Sequence, residues 1–67
     1  MTYGERIKQG REEKELTQEQ LAESLDVSRQ AVSKWESGAS DPSTANLLAL
    51  AELYGVSVQE LLENQEH

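Results

Sequence analysis

Signals that start α-helices recur along this chain of 67 residues in a regular pattern. A Thr or Ser followed three residues later by Gln or Glu can form a capping box, in which two side chains satisfy backbone N–H groups at the helix start. Such pairs occur at Thr17–Gln20 and Ser57–Glu60, with Thr2–Glu5 as a weaker third. The residue before a cap can also pair with an apolar residue five positions later, in a hydrophobic staple. The staples are Leu16–Leu21, Val27–Val32 and Val56–Leu61.

These signals constrain the chain to fold as a series of helices. We predict helices over residues 3–14, 18–25, 29–36, 44–54 and 58–63. Pro42 cannot lie inside a helix, and Ser43 after it is a good cap for the fourth helix, which Gly55 ends in a left-handed conformation. No segment alternates apolar and polar residues over five positions with β-branched residues, so no strand is expected. The sequence therefore predicts an all-α fold, a compact five-helix bundle in one domain that covers residues 1–67.

Apolar residues recur at three- and four-residue spacing within each predicted helix, which is the pattern of a buried core. Trp35 lies on the same face as Val32, so packing explains it better than base stacking or ligand binding. Leu48 and Leu62 each stand beside another leucine, and at least one of them is left for a partner. The predicted core comprises Ile7, Leu16, Leu21, Ala22, Leu25, Val27, Val32, Trp35, Leu47, Leu50, Ala51, Tyr54, Val58 and Leu61.

The net charge of −7 argues at first against a nucleic-acid partner. All six basic residues, however, lie between Arg6 and Lys34, and the rest of the chain after Lys34 carries only acidic charges. A chain polarised in this way can turn one face to a polyanion while the other face repels it. The alternative is that the acidic half is a solvated surface that promotes solubility, and this explains most of the glutamates.

Several classes of protein are excluded by what the sequence lacks. No run of eighteen apolar residues could span a membrane, and the charged N-terminal segment has no apolar stretch of a secretory signal. Without cysteine there are no disulfides or thiolate metal sites, which suits the reducing cytoplasm. The single histidine, His67, is the last residue, where a side chain is rarely held in place. The serines serve as caps, so we expect no enzyme activity, no metal, no cofactor and no small-molecule effector site.

The most informative stretch for function covers residues 18–37. Its two predicted helices are joined by Asp26 and Val27 alone, a link too short for antiparallel packing, so the helices must cross steeply. Ala22 is small where the second helix approaches the first. The second helix turns apolar residues inward, and its outward face carries cations, an amide and hydroxyls but no carboxylate. The outward residues are Arg29, Gln30, Ser33, Lys34 and Ser37.

Side chains of these types can read the major groove of DNA. Arg and Lys donate hydrogen bonds to the guanine edge, and Gln can pair with adenine. Gln18, at the start of the preceding helix, is placed to hold a phosphate together with free backbone N–H groups. The alternative from these residues alone is a polar helix face that is merely solvated.

From about Ile7 to Leu62 the sequence resembles the phage-repressor/Cro-type helix-turn-helix family, also called the XRE family. The similar segments are Leu16-Thr17-Gln18 with Leu21-Ala22, the run VSRQAVSKWE from Val27 to Glu36, and the run LAELYGVS from Leu50 to Ser57 with Leu61-Leu62. The resemblance implies a lambda-repressor-like five-helix domain, in which residues 28–37 form the recognition helix and a homodimer binds a palindromic operator. It also implies an ion pair between Arg11 on the first helix and Glu36 at the end of the third. Physical chemistry agrees, since an unpaired charge where the apolar faces of these helices meet would be costly. The alternative there is two independent exposed charges.

Three departures from the family's pattern bear on stability and function. Asp26 and Glu15 stand where the family usually has Gly; Asp tolerates the left-handed conformation, whereas Glu adopts it at a cost of about 1–2 kcal/mol. Gly10 lies inside the first helix, where it costs about 0.5–1 kcal/mol relative to Ala. The loop that often carries a phosphate-binding base in this family reads Ala39-Ser40-Asp41. We therefore expect modest stability, with phosphate contacts made elsewhere.

The residues and the resemblance together predict a sequence-specific transcriptional regulator of the cytoplasm, most simply a repressor, whose partner is double-stranded DNA. Base contacts are expected from Arg29, Gln30, Ser33 and Lys34. Phosphate contacts are expected from Gln18, Ser28, Ser37, Arg6 and Lys8. The alternative is an acidic protein-interaction module, such as an antitoxin or an adaptor, that keeps the fold with weak or no DNA binding.

Overall fold

A computed structural model describes residues 2–63, apart from the side chains of Tyr3, Leu62 and Glu63. This part of the chain forms helices α1 Tyr3–Glu13, α2 Gln18–Leu25, α3 Arg29–Ser37, α4 Thr44–Tyr54 and α5 Val58–Glu63. It contains no strand, so the predicted all-α fold is confirmed. None of these helices is long and apolar enough to cross a membrane. The expectations for His67 and for the Leu62 side chain lie outside the described residues.

The helix starts are capped by side chains as the sequence predicts. Thr2, Thr17 and Ser57 each accept a hydrogen bond from the third residue of their helix, whose own side chain accepts one from the backbone of the cap. The weaker pair at Thr2 is thus a complete capping box. Ser28 and Ser43 cap α3 and α4 with one such bond each. Local sequence therefore sets where the helices begin.

Helices α1 to α4 share one way of ending. A left-handed residue follows each helix directly, or after Lys14 in the case of α1. The residue after the left-handed one donates its backbone N–H to the carbonyl five positions before it, over 2.9 to 3.1 Å. Gly38 and Gly55 adopt this conformation, with φ of 86° and 73°, at no steric cost. Glu15 and Asp26 adopt it with φ of 58° and 59°, at the two positions where Gly was expected from the family. The strain therefore lies in two exposed turns, and the helix ends stay closed.

The core lies where the five helices meet, and each helix contributes one fully buried side chain. These are Ile7, Leu21, Val32, Leu50 and Leu61. Trp35 packs among them with 5% of its surface exposed, so its predicted packing role is confirmed. Leu48 is 58% exposed and is the one leucine outside the core among those whose side chains the structure describes.

Tyr54 joins the end of α4 to α1. Its hydroxyl donates a hydrogen bond of 2.7 Å to the carbonyl of Ile7, in a buried position. Gly10 lies against the ring, since a Cβ atom added there would stand 2.5 Å from Cε2 of Tyr54. The sequence indicated Gly10 only as a weak point in α1. Its lack of a side chain is what lets the tyrosine ring approach the helix.

Candidate nucleic-acid interface

The turn between α2 and α3 sets the direction in which α3 leaves the core. Asp26 is left-handed, and the N–H of Val27 bonds to the carbonyl of Ala22 over 2.9 Å, which closes the end of α2. Val27 is half-buried and packs on the core, and Ser28 then caps α3. The three-residue linker is thus bonded to the end of α2 at one side and caps the start of α3 at the other.

Helix α3 divides into a buried face and an exposed face. Val32 and Trp35 are buried and Ala31 is half-buried against the core. All five residues predicted to face outward are exposed, namely Arg29, Gln30, Ser33, Lys34 and Ser37. We call these five residues the reading face.

The side chains of the reading face are available to a ligand. Within residues 2–63, no hydrogen bond or ion pair joins the side chain of Arg29, Gln30, Ser33 or Lys34 to another residue. The hydroxyl of Ser37 donates to the carbonyl of Lys34 over 3.2 Å. The two cations, the amide and the hydroxyl of Ser33 thus have donors that the described part of the chain does not satisfy, whereas the hydroxyl proton of Ser37 is already bonded.

Glu36, the one acidic residue of α3, is turned away from the reading face toward Arg11. Nε of Arg11 donates to Oε2 over 2.7 Å and Nη2 donates to Oε1 over 3.3 Å. The side chains are 12% and 5% exposed, so they are not two independent surface charges. The bond to Glu36 is the main cause that raises the pKa of Arg11. Nη1 of Arg11 also donates to the carbonyl of Leu16 over 2.8 Å, which ties α1 to the start of the α2 segment.

Gln18 has a partner that was not expected from the sequence. Its Nε2 donates to Oε1 of Glu36 over 3.0 Å, because that carboxylate oxygen still has lone-pair capacity beside Arg11. The side chain is half-buried. The amide is therefore held between α2 and α3, and only its second N–H is left to meet a phosphate.

The other expected phosphate contacts differ in their positions. Ser28 is exposed, and its oxygen accepts from the N–H of Ala31, which leaves the hydroxyl proton for another acceptor. Arg6 and Lys8 are two positions apart in α1 and so point about 160° apart around the helix axis. Lys8 is exposed, whereas Arg6 is half-buried, and its buried Nε has no hydrogen-bond partner within residues 2–63. The structure therefore does not bring Arg6 and Lys8 to one surface.

Gly4, which the sequence did not single out, lies where α1 meets the last turn of α3. A Cβ atom added at Gly4 would stand 2.5 Å from the carbonyl oxygen of Trp35 and 2.6 Å from that of Glu36. One turn later along α1 comes Lys8. The only sign of this close approach in the sequence was a glycine inside a predicted helix, which often indicates close packing.

An acidic loop borders the end of the reading face. The N–H groups of Ala39 and Ser40 both bond to the carbonyl of Lys34, over 2.9 and 3.3 Å, so the chain folds back on α3 after Gly38. Asp41 follows directly and is exposed. The loop after α3 thus carries an exposed carboxylate and no basic residue.

The family profile described as Helix-turn-helix matches residues 7–61 of the chain. Among curated proteins, the HTH-type transcriptional activator BcrR of Enterococcus faecalis is 47% identical over 66 residues, which are 98% of this chain and 32% of BcrR. The HTH-type transcriptional regulator ImmR of Bacillus subtilis (strain 168) is 38% identical over 66 residues, which are 98% of this chain and 52% of ImmR. The chain therefore spans about a third to a half of the length of these relatives.

A solved structure gives the same likeness in three dimensions. The P22 c2 repressor protein, in complex with a synthetic operator, superposes with a TM-score of 0.88 at 35% sequence identity. The match covers 94% of this chain and 96% of that one.

Proposed function

The chain belongs to the helix-turn-helix family, and on that premise we propose that it is a sequence-specific DNA-binding regulator of transcription that reads its operator through the major groove with α3. The observation that carries this proposal is the reading face, which is exposed, free of carboxylates and built on a helix anchored from behind. A major groove about 12 Å wide admits an α-helix. No catalytic function is proposed.

The proposed base contacts follow from the chemistry of four side chains on the reading face. Arg29 and Lys34 donate to guanine O6 and N7, and Gln30 pairs with the N6 and N7 atoms of adenine. Ser33 can contact any base edge with its hydroxyl. Because Gln30 and Lys34 are four residues apart in α3, they reach bases about 6 Å apart along the groove.

The proposed phosphate contacts lie around the reading face. They come from Lys8, Ser28 and the second N–H of Gln18, together with backbone N–H groups at the start of α2. Ser37 joins them when its hydroxyl turns from the carbonyl of Lys34 to a phosphate. Arg6 contributes to attraction at longer range, because it lies on the other flank of α1. With about two to four phosphates neutralised per subunit, log affinity should fall against log salt with a slope of roughly −2 to −4.

We further propose that residues 1–67 form one domain, with the helix-turn-helix at 18–37, and that it binds as a homodimer in the cytoplasm. Two copies on one face of DNA require half-sites about 34 Å apart, and hence a palindromic operator. Val58, which the sequence predicted wrongly as a core residue, is half-buried and does not pack on the core cluster, so it offers apolar surface for the partner copy. A dimer that covers an operator within a promoter blocks polymerase, so repression is the proposed outcome.

Selection of bound sequences from a random DNA pool tests this function. We expect a two-fold symmetric motif with half-sites one helical turn apart. Arg29→Ala and Gln30→Ala should each remove the preference at particular positions, whereas Lys8→Ala should weaken binding equally on operator and random DNA. Arg6→Ala, which removes the same charge from the other flank, is the control and should change affinity less.

Two results would contradict the proposal. A protein that shifts no DNA at low salt would favour the interaction-module alternative. Equal loss of affinity on operator and random DNA for the Arg29 and Gln30 variants would remove the base-reading role of α3.

A further inference from the structure

We propose that Gly4 is a positioning residue for DNA reading, because its lack of a side chain sets how closely the end of α3 lies against α1. This inference rests on the proposed function of α3. Gly4 touches no DNA in this scheme. It acts through the backbone of Trp35 and Glu36, and thereby through the placement of Lys34, which lies directly before them in the chain.

The contact at Gly4 leaves no room for adjustment. A Cβ atom there would meet two carbonyl oxygens, at 2.5 and 2.6 Å, and the carbonyl carbon of Glu36 at 2.9 Å. All three are backbone atoms of a helix, and they cannot rotate away as the end of a side chain can. Restoring an ordinary contact of 3.4 Å from 2.5 Å requires α1 and the end of α3 to separate by about 0.9 Å, and we propose that α3 takes up part of this movement.

The start of α3 cannot follow that movement. It is held to α2 by the closing bond between Val27 and Ala22 and by the burial of Val32. A side chain at Gly4 should therefore tilt α3, with the largest displacement at Lys34 and Ser37 and the smallest at Arg29. Hydrogen bonds to bases tolerate donor–acceptor distances of only about 2.7–3.2 Å, so a shift of this size breaks or changes the contacts at the displaced end.

Gly10 provides a matched control in the same helix. A Cβ atom there meets its nearest neighbour at the same distance of 2.5 Å, but that neighbour is the ring of Tyr54 on the α4 side. Gly4→Ala and Gly10→Ala thus introduce the same methyl group at the same closest distance, against backbone at Gly4 and against a side chain at Gly10. Only the first pushes on α3.

The experiment is the selection from random DNA repeated with both variants, at a temperature where circular dichroism shows each to be folded. The positions that Lys34→Ala and Arg29→Ala lose define the two ends of each half-site. We expect Gly4→Ala to lose the preference at the Lys34 positions, to keep it at the Arg29 positions and to bind the operator about tenfold more weakly. Its affinity for random DNA should change less than about threefold, since phosphate contacts tolerate small displacements. Gly10→Ala should keep the wild-type motif.

The outcomes separate this inference from the function on which it rests. Absence of any motif for the wild-type chain would contradict the proposed function itself. A wild-type motif that Gly4→Ala retains unchanged, or that Gly10→Ala loses in the same way, would overturn the role of Gly4 alone. If Gly4→Ala does not fold, both variants are remade with Glu15→Gly, which relieves a strained and exposed turn at the end of α1. Folding of the Gly10 variant alone in that background would show a general need for Gly4 in the fold, and would equally overturn a separable positioning role.

Discussion

Replacing Gly10 by Ala should destabilise the protein, although the same change stabilises most helices. In a solvent-exposed helix, Ala is favoured over Gly by about 0.5–1 kcal/mol. Here the added methyl group would stand 2.5 Å from Cε2 and 2.7 Å from Cδ2 of Tyr54. The ring must retreat, and its hydrogen bond of 2.7 Å to Ile7 weakens as it does so.

The size of the effect follows from these opposing contributions. Overpacking a core costs about 1–3 kcal/mol, and loss of one hydrogen bond costs about 1 kcal/mol. After subtraction of the intrinsic gain of Ala, the free energy of unfolding should fall by about 1–3 kcal/mol. In a domain of this size, each kcal/mol lowers Tm by about 4–8 °C.

Urea unfolding followed by circular dichroism measures the change, with Tyr54→Leu as the second arm of a double-mutant cycle. Leucine lacks the outer ring atoms, so Gly10→Ala should be neutral or stabilising in the Tyr54→Leu background. The coupling between the two positions should then be at least about 1 kcal/mol. A stabilising effect of Gly10→Ala in the wild-type chain, or a coupling near zero, would refute the close approach of ring and helix.

Four further predictions follow from single contacts. Glu15→Gly should stabilise the protein by about 1 kcal/mol in urea unfolding, because Gly adopts φ of 58° without a Cβ clash; no gain would indicate that Glu15 is unstrained. Arg11→Met should cost about 3 kcal/mol by leaving Glu36 buried and unpaired, and a second change, Glu36→Met, should recover most of that loss. Burial is the main cause that raises the pKa of Tyr54 above its usual 10.0, so stability is full below pH 10 and falls as the pH rises further; Tyr54→Phe should remove this alkaline loss in pH-dependent unfolding. Asp41→Asn should raise the affinity for random DNA about threefold and steepen the salt slope by up to about 1 per subunit, since it removes a carboxylate beside the proposed phosphate path; an unchanged slope would place Asp41 away from DNA.

The sequence allowed the helices to be predicted closely because their limits depend on local interactions. Capping boxes and staples involve residues three to five positions apart, and the left-handed ends of α1 to α4 involve one residue each. The differences are small: α1 ends at Glu13 instead of residue 14, and α3 extends to Ser37 instead of residue 36. The division of α3 into two faces was predictable for the same reason, since it follows from helical spacing alone.

Apart from the Arg11–Glu36 ion pair, which the family resemblance implied, the contacts between helices described above were not predicted from the sequence. A glycine in a helix reads as a local weakness, and only the tertiary structure shows that Gly10 admits a tyrosine ring and Gly4 the backbone of α3. Gln18 illustrates the same limit for a polar residue. Its position at a helix start indicated a phosphate contact, whereas its amide donates to Glu36, a residue 18 positions away.

The ion pair behind α3 also reconciles the acidic composition with a DNA-binding role. Among the six basic residues, Arg11 is neutralised by its ion pair with Glu36, and Arg6 is half-buried on the side of α1 opposite Lys8. The charge that can meet phosphates is therefore small, and two of the four remaining basic residues, Arg29 and Lys34, lie on α3. Since non-specific binding to DNA is almost entirely electrostatic, such a surface binds random sequence weakly. If α3 reads DNA as proposed, hydrogen bonds from Arg29, Gln30 and Lys34 to bases have to supply most of the affinity. Under that condition, the proposed shift of α3 would change which operator is bound.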